Sequence, residues 1–181
     1  NDLLGAVSGN IALKVVQQQP EEIHIDAHAA LKVVAPNFLG CNIDAASLWQ
    51  GTRPHRLNFS DTGLLKLGKV FAQNSQDSIL RIGGSSAEDL GFGASSDQKI
   101  IVEPAYLDEI MAFAQATGFQ IMWDLNAMKM RTTSSSWNGT NARELLEYIA
   151  ARKGQRDRLR GVQLGNEPGH YYSETPGAPT P

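Results

Sequence analysis

From Pro36 onward the chain repeats one pattern: a short apolar run, a polar or glycine-rich loop, and an amphipathic segment with helical spacing. The apolar runs predict four strands, which begin roughly forty residues apart. They are Phe38 to Ile43, Ile79 to Ile82, Gln120 to Leu125 and Gly161 to Leu164. Strands that alternate with helices at this spacing are joined by crossover connections, so the pattern predicts a parallel sheet of the α/β class.

The first two helices carry start and stop signals. Asp61 or Thr62 is a suitable N-cap for the first helix. The predicted apolar face of that helix comprises Leu64, Leu67, Val70 and Phe71. The second helix is expected to start at Pro104 and to stop at Gly118, because proline favours the first helical turn and glycine the residue after the last turn.

A third helix is predicted between the third and fourth strands. Asn141 and Glu144 have the spacing of a capping box, which favours a helix that starts at Asn141. Gly154 provides the stop signal at the other end of this helix. The apolar residues of this helix are expected to be Leu145, Leu146 and Ile149.

Four units of strand and helix make half of a (β/α)8 barrel of the TIM type. A half barrel leaves two parallel strand edges unpaired and one sheet face uncovered, which is unfavourable for a free-standing domain. We therefore expect residues after Pro181, or a companion chain, to complete the barrel.

The same pattern divides the chain into three regions. Residues 1–34 contain two strand-like runs that lie outside the barrel core, and residues 35–172 form the first half of the barrel. Residues 173–181 form a Pro/Gly-rich loop, where a processing site would be tolerated because such loops make few hydrogen bonds.

Each predicted strand ends in polar residues. These are Asn42 and Asp44, Arg81 and Ser85, Asp124 and Asn126, and Asn166 and Glu167. Barrel enzymes hold their catalytic groups at the C-terminal ends of the strands, so the pattern favours an active site there. If strand geometry continues to the tip, Glu167 lies on the same side as Gln163 and Gly165. The competing interpretations are a solvated surface turn and a buried polar network that only stabilises the barrel.

Composition narrows the function classes. The chain has 181 residues, 41% of them hydrophobic, and a net charge of -3, which is typical of a globular protein and argues against a nucleic-acid surface. No apolar run is long enough to span a membrane. The single cysteine, Cys41, excludes an internal disulfide and zinc-type cysteine spacing, and no cofactor motif is present.

Two Asn-x-Ser/Thr sequons begin at Asn58 and Asn138. Sequons on surface loops are typical of secreted or lumenal glycoproteins. We therefore predict glycosylation at both asparagines, in a protein that is secreted, extracellular, or lysosomal or vacuolar.

Four segments together resemble the heparanase-like glycoside hydrolases. They are residues 38–45, 80–85, 137–142 and 163–168, the last of which contains Asn166-Glu167-Pro168. The resemblance extends over roughly residues 23–170 in the same order. It implies a retaining glycosidase with an eight-stranded barrel and a β-sandwich, which cleaves β-linked glucuronic acid in glycans of the extracellular matrix. It also implies that the strands within residues 1–34 belong to the sandwich.

The resemblance assigns a role to each polar strand end. Glu167 would be the general acid/base, and Asn166 would hydrogen-bond the 2-hydroxyl of the sugar. Arg81 would orient the carboxylate of the nucleophile. The sugar subsite would be lined by Asp44, Ser85 and Asn126. No metal ion or cofactor is implied.

The sequence departs from the family at one point. In the family the nucleophilic glutamate comes from the seventh strand, which this sequence lacks, so the chain alone should be inactive. Two alternatives remain open: an inactive extracellular glycan-binding or structural protein that keeps the barrel fold, and a related glycosidase that acts on neutral sugars. Among the loop residues on the predicted catalytic face, the candidates for binding an anionic glycan are Lys129 and Arg131, and the competing interpretation of this pair is a solvated loop.

Overall fold

The computed structural model of the protein describes residues 35, 38–51, 56–73, 77–94, 96–132 and 136–168. The strands are β1 (Gly40–Asp44), β2 (Ile79–Gly83), β3 (Leu90–Phe92), β4 (Ile100–Val102), β5 (Gln120–Leu125) and β6 (Leu159–Leu164). The α-helices are α1 (Thr62–Gln73), α2 (Pro104–Thr117), α3 (Thr140–Ala150) and α4 (Lys153–Arg156). Two 3-10 helices, Ala45–Leu48 and Ser85–Asp89, follow β1 and β2.

Four strands form one parallel sheet in the order β1, β2, β5, β6, which confirms the predicted parallel α/β arrangement. β5 has the predicted bounds, whereas β1 starts at Gly40 instead of Phe38. Phe38 is 73% exposed and has no strand neighbour that would cover it among the described residues. β6 starts two residues earlier than expected, at Leu159, which pairs with Ile121. The pair β3 and β4 was not predicted, and it forms a second, two-stranded parallel sheet.

The two faces of the main sheet differ in chemistry. In a parallel pair, residues in register point to the same side, and alternate residues point to opposite sides. One face therefore carries an apolar row, Ile82 beside Trp123, which belongs to the core with residues of α2 and α3. The other face carries Asn42 beside Arg81 and Asp124 beside Gln163. The sheet thus has an apolar side that packs on helices and a polar side near its C-terminal end.

Both ends of α2 and the start of α1 follow their sequence signals. Asp61 Oδ1 accepts a hydrogen bond of 2.8 Å from the N–H of Leu64, so Asp61 caps α1. Pro104 is the first residue of α2. Gly118 ends α2 in the left-handed conformation, with φ at 91°, and its N–H donates to Ala114 O.

The apolar face predicted for α1 was half wrong. Leu64 and Phe71 pack against the core, but Leu67 and Val70 are 64% and 57% exposed. The buried stripe is rotated toward Gly68, which is the point of closest approach to α2. A hydrophobic pattern alone did not indicate this contact, because glycine contributes no apolar side chain to the pattern.

The predicted limits of the third helix were also wrong. α3 begins at Thr140, after Gly139, and ends at Ala150, while Gly154 lies inside the separate short helix α4. Asn141 does not cap the helix. Its side chain instead accepts the N–H of Phe92 at 2.8 Å and donates to the carbonyl of Phe92 at 2.7 Å.

Chain contacts divide the protein into two compact units, Asn1–Val33 and Val34–Pro181. The strands predicted within residues 1–34 and the loop predicted at residues 173–181 lie outside the described residues. The domain boundaries therefore stay predictions. None of the helices in the described part is long and apolar enough to cross a membrane.

Gly68 provides a test of the contact between α1 and α2. Gly→Ala inside a helix normally stabilises by about 1 kcal/mol. In Gly68→Ala the new Cβ would lie 2.7 Å from Thr117 Cγ2 and 2.9 Å from Phe113 Cζ, so we expect destabilisation of about 1–3 kcal/mol instead. The control is Gly154→Ala in α4, whose Cβ would meet no atom closer than 3.8 Å. Denaturant unfolding of both variants measures the difference, and equal effects would contradict the close contact.

Candidate active site

The guanidinium of Arg81, on β2, is the centre of the polar cluster at the strand ends. Its Nη1 donates to Asn42 Oδ1 on β1 at 2.8 Å, and its Nε donates to Gln163 Oε1 on β6 at 3.0 Å. Its Nη2 donates to Asp124 Oδ2 on β5 at 3.0 Å and to Asn166 Oδ1 at 2.9 Å. One side chain therefore links all four strands of the sheet and the loop after β6.

Asp124 is the buried anion of the cluster. Its side chain is fully buried, and Oδ1 has no hydrogen-bond partner among the described residues, while Oδ2 accepts from Arg81. Burial raises the pKa of Asp124 from 3.8 to about 6, against the opposing effect of the Arg81 charge. The negative charge of the nearby Glu88 raises the pKa of Asp124 further. The backbone N–H of Gly165 lowers this pKa, and its effect is the smallest of the four.

Glu88 is a member of the site that the sequence did not indicate. It lies in the 3-10 helix after β2 and is only 3% exposed. Its Oε2 accepts the N–H groups of Ala127 and Met128 at 2.9 and 2.6 Å. Its Oε1 accepts the N–H of Asn166 at 3.1 Å. The only feature that distinguishes Glu88 is its burial. The sequence around Glu88 has no strand or helix periodicity from which this burial could be predicted.

The tip of β6 does not continue as a strand, so the condition for the alternation expected of Glu167 is not met. The strand ends at Leu164, and both Gly165 and Glu167 have positive φ angles, 77° and 47°. For a residue other than glycine this left-handed conformation costs on the order of 1–3 kcal/mol and needs support from its surroundings. The turn leaves Glu167 exposed and Asn166 half-buried.

Asp44 lies against Gly84, the residue before Ser85. Asp44 Oδ1 accepts the N–H of Ala46 and so caps the 3-10 helix that follows β1. A Cβ on Gly84 would lie 2.3 Å from Asp44 Oδ2, and Ser85 is the next residue along the chain. Ser85 is exposed and Asp44 is partly exposed, so both side chains lie at the surface of the polar end of the sheet.

Asn126 has a different environment from these two residues. It is 5% exposed, and its Nδ2 donates to the carbonyls of Glu88 and Leu90 and to Gln98 Oε1. Its Oδ1 accepts the N–H of Lys129. The side chain thus ties the loop after β5 to the segment that contains β3. A contact between Asn126 and a sugar stays a prediction.

The two basic residues after β5 line a shallow cavity. Lys129 and Arg131 border a space of about 300 Å³ together with Asp97, Asn138 and Glu144. Lys129 forms an ion pair with Asp89. The cavity therefore combines acidic and basic side chains and is not a purely cationic surface.

Two further sequence predictions concern sequons and cysteine chemistry. Asn58 and Asn138 are exposed, and each accepts a hydrogen bond through Oδ1 from the N–H two residues later. Cys41 packs against the core, and burial raises the pKa of its thiol, which lowers its reactivity as a nucleophile. In the part of the chain that is described, no group of three His, Cys, Asp or Glu side chains could hold a metal ion.

Asp124 should give the protein a measurable pH dependence. Because its pKa is about 6 when folded and 3.8 in the ordinary state, the folded protein binds more protons between these values. The contribution of Asp124 to the free energy of unfolding is therefore most favourable below pH 4. As the pH rises through 6, this contribution falls by on the order of 3 kcal/mol. We expect Asp124→Asn to lack this loss when unfolding free energies are compared from pH 4 to 7.

The control for this measurement is Asp97→Asn, which changes an exposed aspartate. It should keep the pH profile of the unchanged protein. If the profiles of Asp124→Asn and the unchanged protein run parallel, Asp124 does not titrate in this range.

Comparisons with known proteins show which proteins this chain is similar to. The chain is 35% identical to inactive heparanase-2 from Mus musculus over 74 residues, which is 41% of this chain and 12% of that protein. It is 37% identical to heparanase from Gallus gallus over 69 residues, which is 38% of this chain and 12% of that protein. The matched segments therefore represent about an eighth of the relatives' own length. No model of a protein family matches the chain.

Among solved structures, a 4-O-α-L-rhamnosyl-β-D-glucuronidase from Fusarium oxysporum aligns with 77% of this chain and 29% of its own chain. The TM-score is 0.38 and the identity 18%, so this alignment does not decide the fold. The sequence matches do confirm the resemblance predicted from the motifs: over about two fifths of its length, this chain is similar to heparanases.

Proposed function

We propose that the protein is a retaining glycoside hydrolase in which Glu167 is the general acid/base. The observation that carries this proposal is the hydrogen bond from Arg81 Nη2 to Asn166 Oδ1, since it fixes the residue next to Glu167 at the polar end of the sheet. Glu167 is exposed and can therefore reach a bound glycan. The similarity to heparanase supports the same reaction class.

Asn166 would bind the sugar through its amide N–H groups. Its Oδ1 is already bonded to Arg81, so the amide nitrogen points away from the guanidinium. No partner for this nitrogen occurs among the described residues. It is therefore suited to donate a hydrogen bond to the oxygen of the 2-hydroxyl, an interaction that strengthens in the transition state of glycoside hydrolysis.

Arg81 would also contribute to the placement of the nucleophile. A guanidinium has five N–H groups, and four of them are used in the contacts with Asn42, Gln163, Asp124 and Asn166. The remaining N–H, on Nη1, has no partner within the described part of the chain. Because the Arg81 side chain is 25% exposed, a carboxylate from a further strand could bind this group. A retaining enzyme needs that second carboxylate about 5–5.5 Å from the acid.

We propose glucuronic-acid-containing glycans as the substrates, on the basis of the heparanase matches. Asp44 and Ser85, at the polar end of the sheet, would line the sugar subsite, and Asn126 would support it from below. Lys129 and Arg131 border the neighbouring cavity, where an anionic glycan would meet both charge signs. Hydrolysis of a glycan panel at two salt concentrations would separate anionic from neutral substrates, since screening weakens only the former.

A second candidate function is that of an inactive glycan-binding protein with the same fold. Two of the matched relatives, from Mus musculus and Homo sapiens, are named inactive heparanase-2. The two candidates differ in whether a glutamate lies at the tip of the seventh strand of the complete barrel. Its absence from the complete sequence would favour the inactive protein.

Glu167→Gln tests the proposed acid role. The change keeps the size of the side chain and removes its acidic proton, so folding should be retained. For substrates with poor leaving groups we expect a loss of about 10²–10⁴-fold in kcat/KM. Substrates with activated leaving groups need less protonation and should be spared in the glycosylation step. Pre-steady-state kinetics of the complete protein measures both classes.

The control variant is Glu147→Gln, which changes an exposed glutamate on α3. It should leave both substrate classes unaffected. Equal losses for the two classes in Glu167→Gln would contradict the acid role.

We also propose that a further segment or a companion chain completes the barrel. β6 is an edge strand of the described sheet, and its apolar residues Val162 and Leu164 are 43% and 54% exposed. On the neighbouring strand, the residues in register with them, Trp123 and Leu125, are buried under helices. A fifth unit of the barrel would cover this apolar surface and pair with the edge.

Expression of residues 1–181 alone tests this completion. Exposed apolar surface and an unpaired parallel edge should produce aggregation or a state without cooperative unfolding. Co-expression with the remainder of the protein should restore a soluble complex. A soluble monomer of residues 1–181 that unfolds cooperatively would contradict the half-barrel proposal.

A further inference from the structure

Glu88 binds two loops at the C-terminal end of the sheet, although no sequence motif marks it. We propose that Glu88 is a positioning residue that holds the Asn166–Glu167 turn in the conformation needed for proton transfer. The inference rests on the proposed acid role of Glu167. It goes beyond that role because it identifies Glu88 as the residue that fixes the position of Glu167.

The carboxylate of Glu88 divides its two oxygens between different loops. Oε2 accepts the N–H groups of Ala127 and Met128, which follow β5, and Oε1 accepts the N–H of Asn166, which follows β6. The 3-10 helix that carries Glu88 follows β2. The position of the β6 tip is therefore set relative to β2 and β5 by one buried anion, and hydrogen bonds to an ionised acceptor are stronger than neutral ones.

The turn needs such an attachment because its backbone is unfavourable without one. Asn166 lies between Gly165 and Glu167, which both have positive φ angles. Asn166 is held at its side chain by Arg81 and at its N–H by Glu88. Loss of the second bond would leave Asn166 free to rotate about the bond to Arg81, and the adjoining carboxyl of Glu167 would move with the backbone.

A carboxylate satisfies these contacts and an amide does not. The three hydrogen bonds described above come from backbone N–H donors, two to Oε2 and one to Oε1, so both oxygens of Glu88 accept. In Glu88→Gln one carboxylate oxygen is replaced by an NH₂ group. This group would face a backbone N–H of one of the two loops, and two donors cannot form a hydrogen bond with each other. In Glu88→Asp the charge remains, but the carboxylate is withdrawn by about 1.5 Å, the length of one C–C bond.

The test compares Glu88→Gln, Glu88→Asp and the control Glu147→Gln in the complete protein. For each variant, kcat/KM is measured on substrates with poor and with activated leaving groups, together with hydrogen exchange of the backbone amides at 127, 128 and 166. A displaced catalytic group costs about 10²-fold in rate. We therefore expect Glu88→Gln to lower kcat/KM for poor leaving groups about 10- to 100-fold more than for activated ones. Exchange should accelerate at the amide of Asn166.

Glu88→Asp should show the same selectivity with a smaller loss, and Glu147→Gln should match the unchanged protein. If Glu88→Gln does not fold, Glu88→Asp alone decides the question. Equal losses for both substrate classes would mean that Glu88 only stabilises the fold, and would overturn the inference. Parent-like kinetics and exchange in Glu88→Asp would overturn it as well.

The Glu167→Gln result separates this inference from the function on which it rests. If Glu167→Gln shows no selective loss, the acid role fails and the positioning role fails with it. If Glu167→Gln is selective and the Glu88 variants are not, the acid role stands and only the role of Glu88 is lost.

Discussion

The guanidinium of Arg81 is the interaction on which the polar end of the sheet depends. Parallel strands are joined by backbone hydrogen bonds only to their immediate neighbours. Arg81 instead bonds side chains on β1, β5 and β6 from its own place on β2. The planar fork of donors on arginine makes this arrangement possible, since lysine would offer a single point charge. The relative positions of the four strand tips are therefore fixed by side chains as well as by the ladder.

This arrangement places constraints on the residues around it. A Cβ on Gly83 would lie 2.8 Å from Arg81 Cζ and 2.9 Å from Asp124 Oδ2, so the space for the ion pair exists because residue 83 has no side chain. Asp124 compensates part of the charge of Arg81 and is itself poorly solvated. Buried ion pairs contribute little net stability, although removal of one partner is costly. The proposed role in substrate binding would give a more direct reason for such a cluster than stability.

Regular elements could be predicted because their signals are local. The bounds of β5 and the Gly118 stop of α2 depend on residues within one turn or one strand. The polar strand ends could be recognised for the same reason. Glu88 could not, because its partners are backbone N–H groups that have no sequence signature. The side chain of Asn141 bonds the backbone of Phe92, 49 residues away, and has only a long contact of 3.4 Å with Glu144, so the capping-box spacing did not reveal its main partner.

The loops at this end of the sheet are held largely through backbone groups. Glu88 bonds the N–H of Ala127 and Met128, Asn126 bonds the carbonyl of Leu90, and Asn141 bonds both polar groups of Phe92. Any residue type supplies a carbonyl, and any type except proline supplies an N–H. These contacts therefore set the course of the backbone at 127 and 128 whatever the residue type, while the buried side chains of Ala127 and Met128, 6% and 9% exposed, are restricted by packing. A replacement at 127 or 128 must therefore fit the buried volume, whereas the hydrogen bonds themselves exclude only proline.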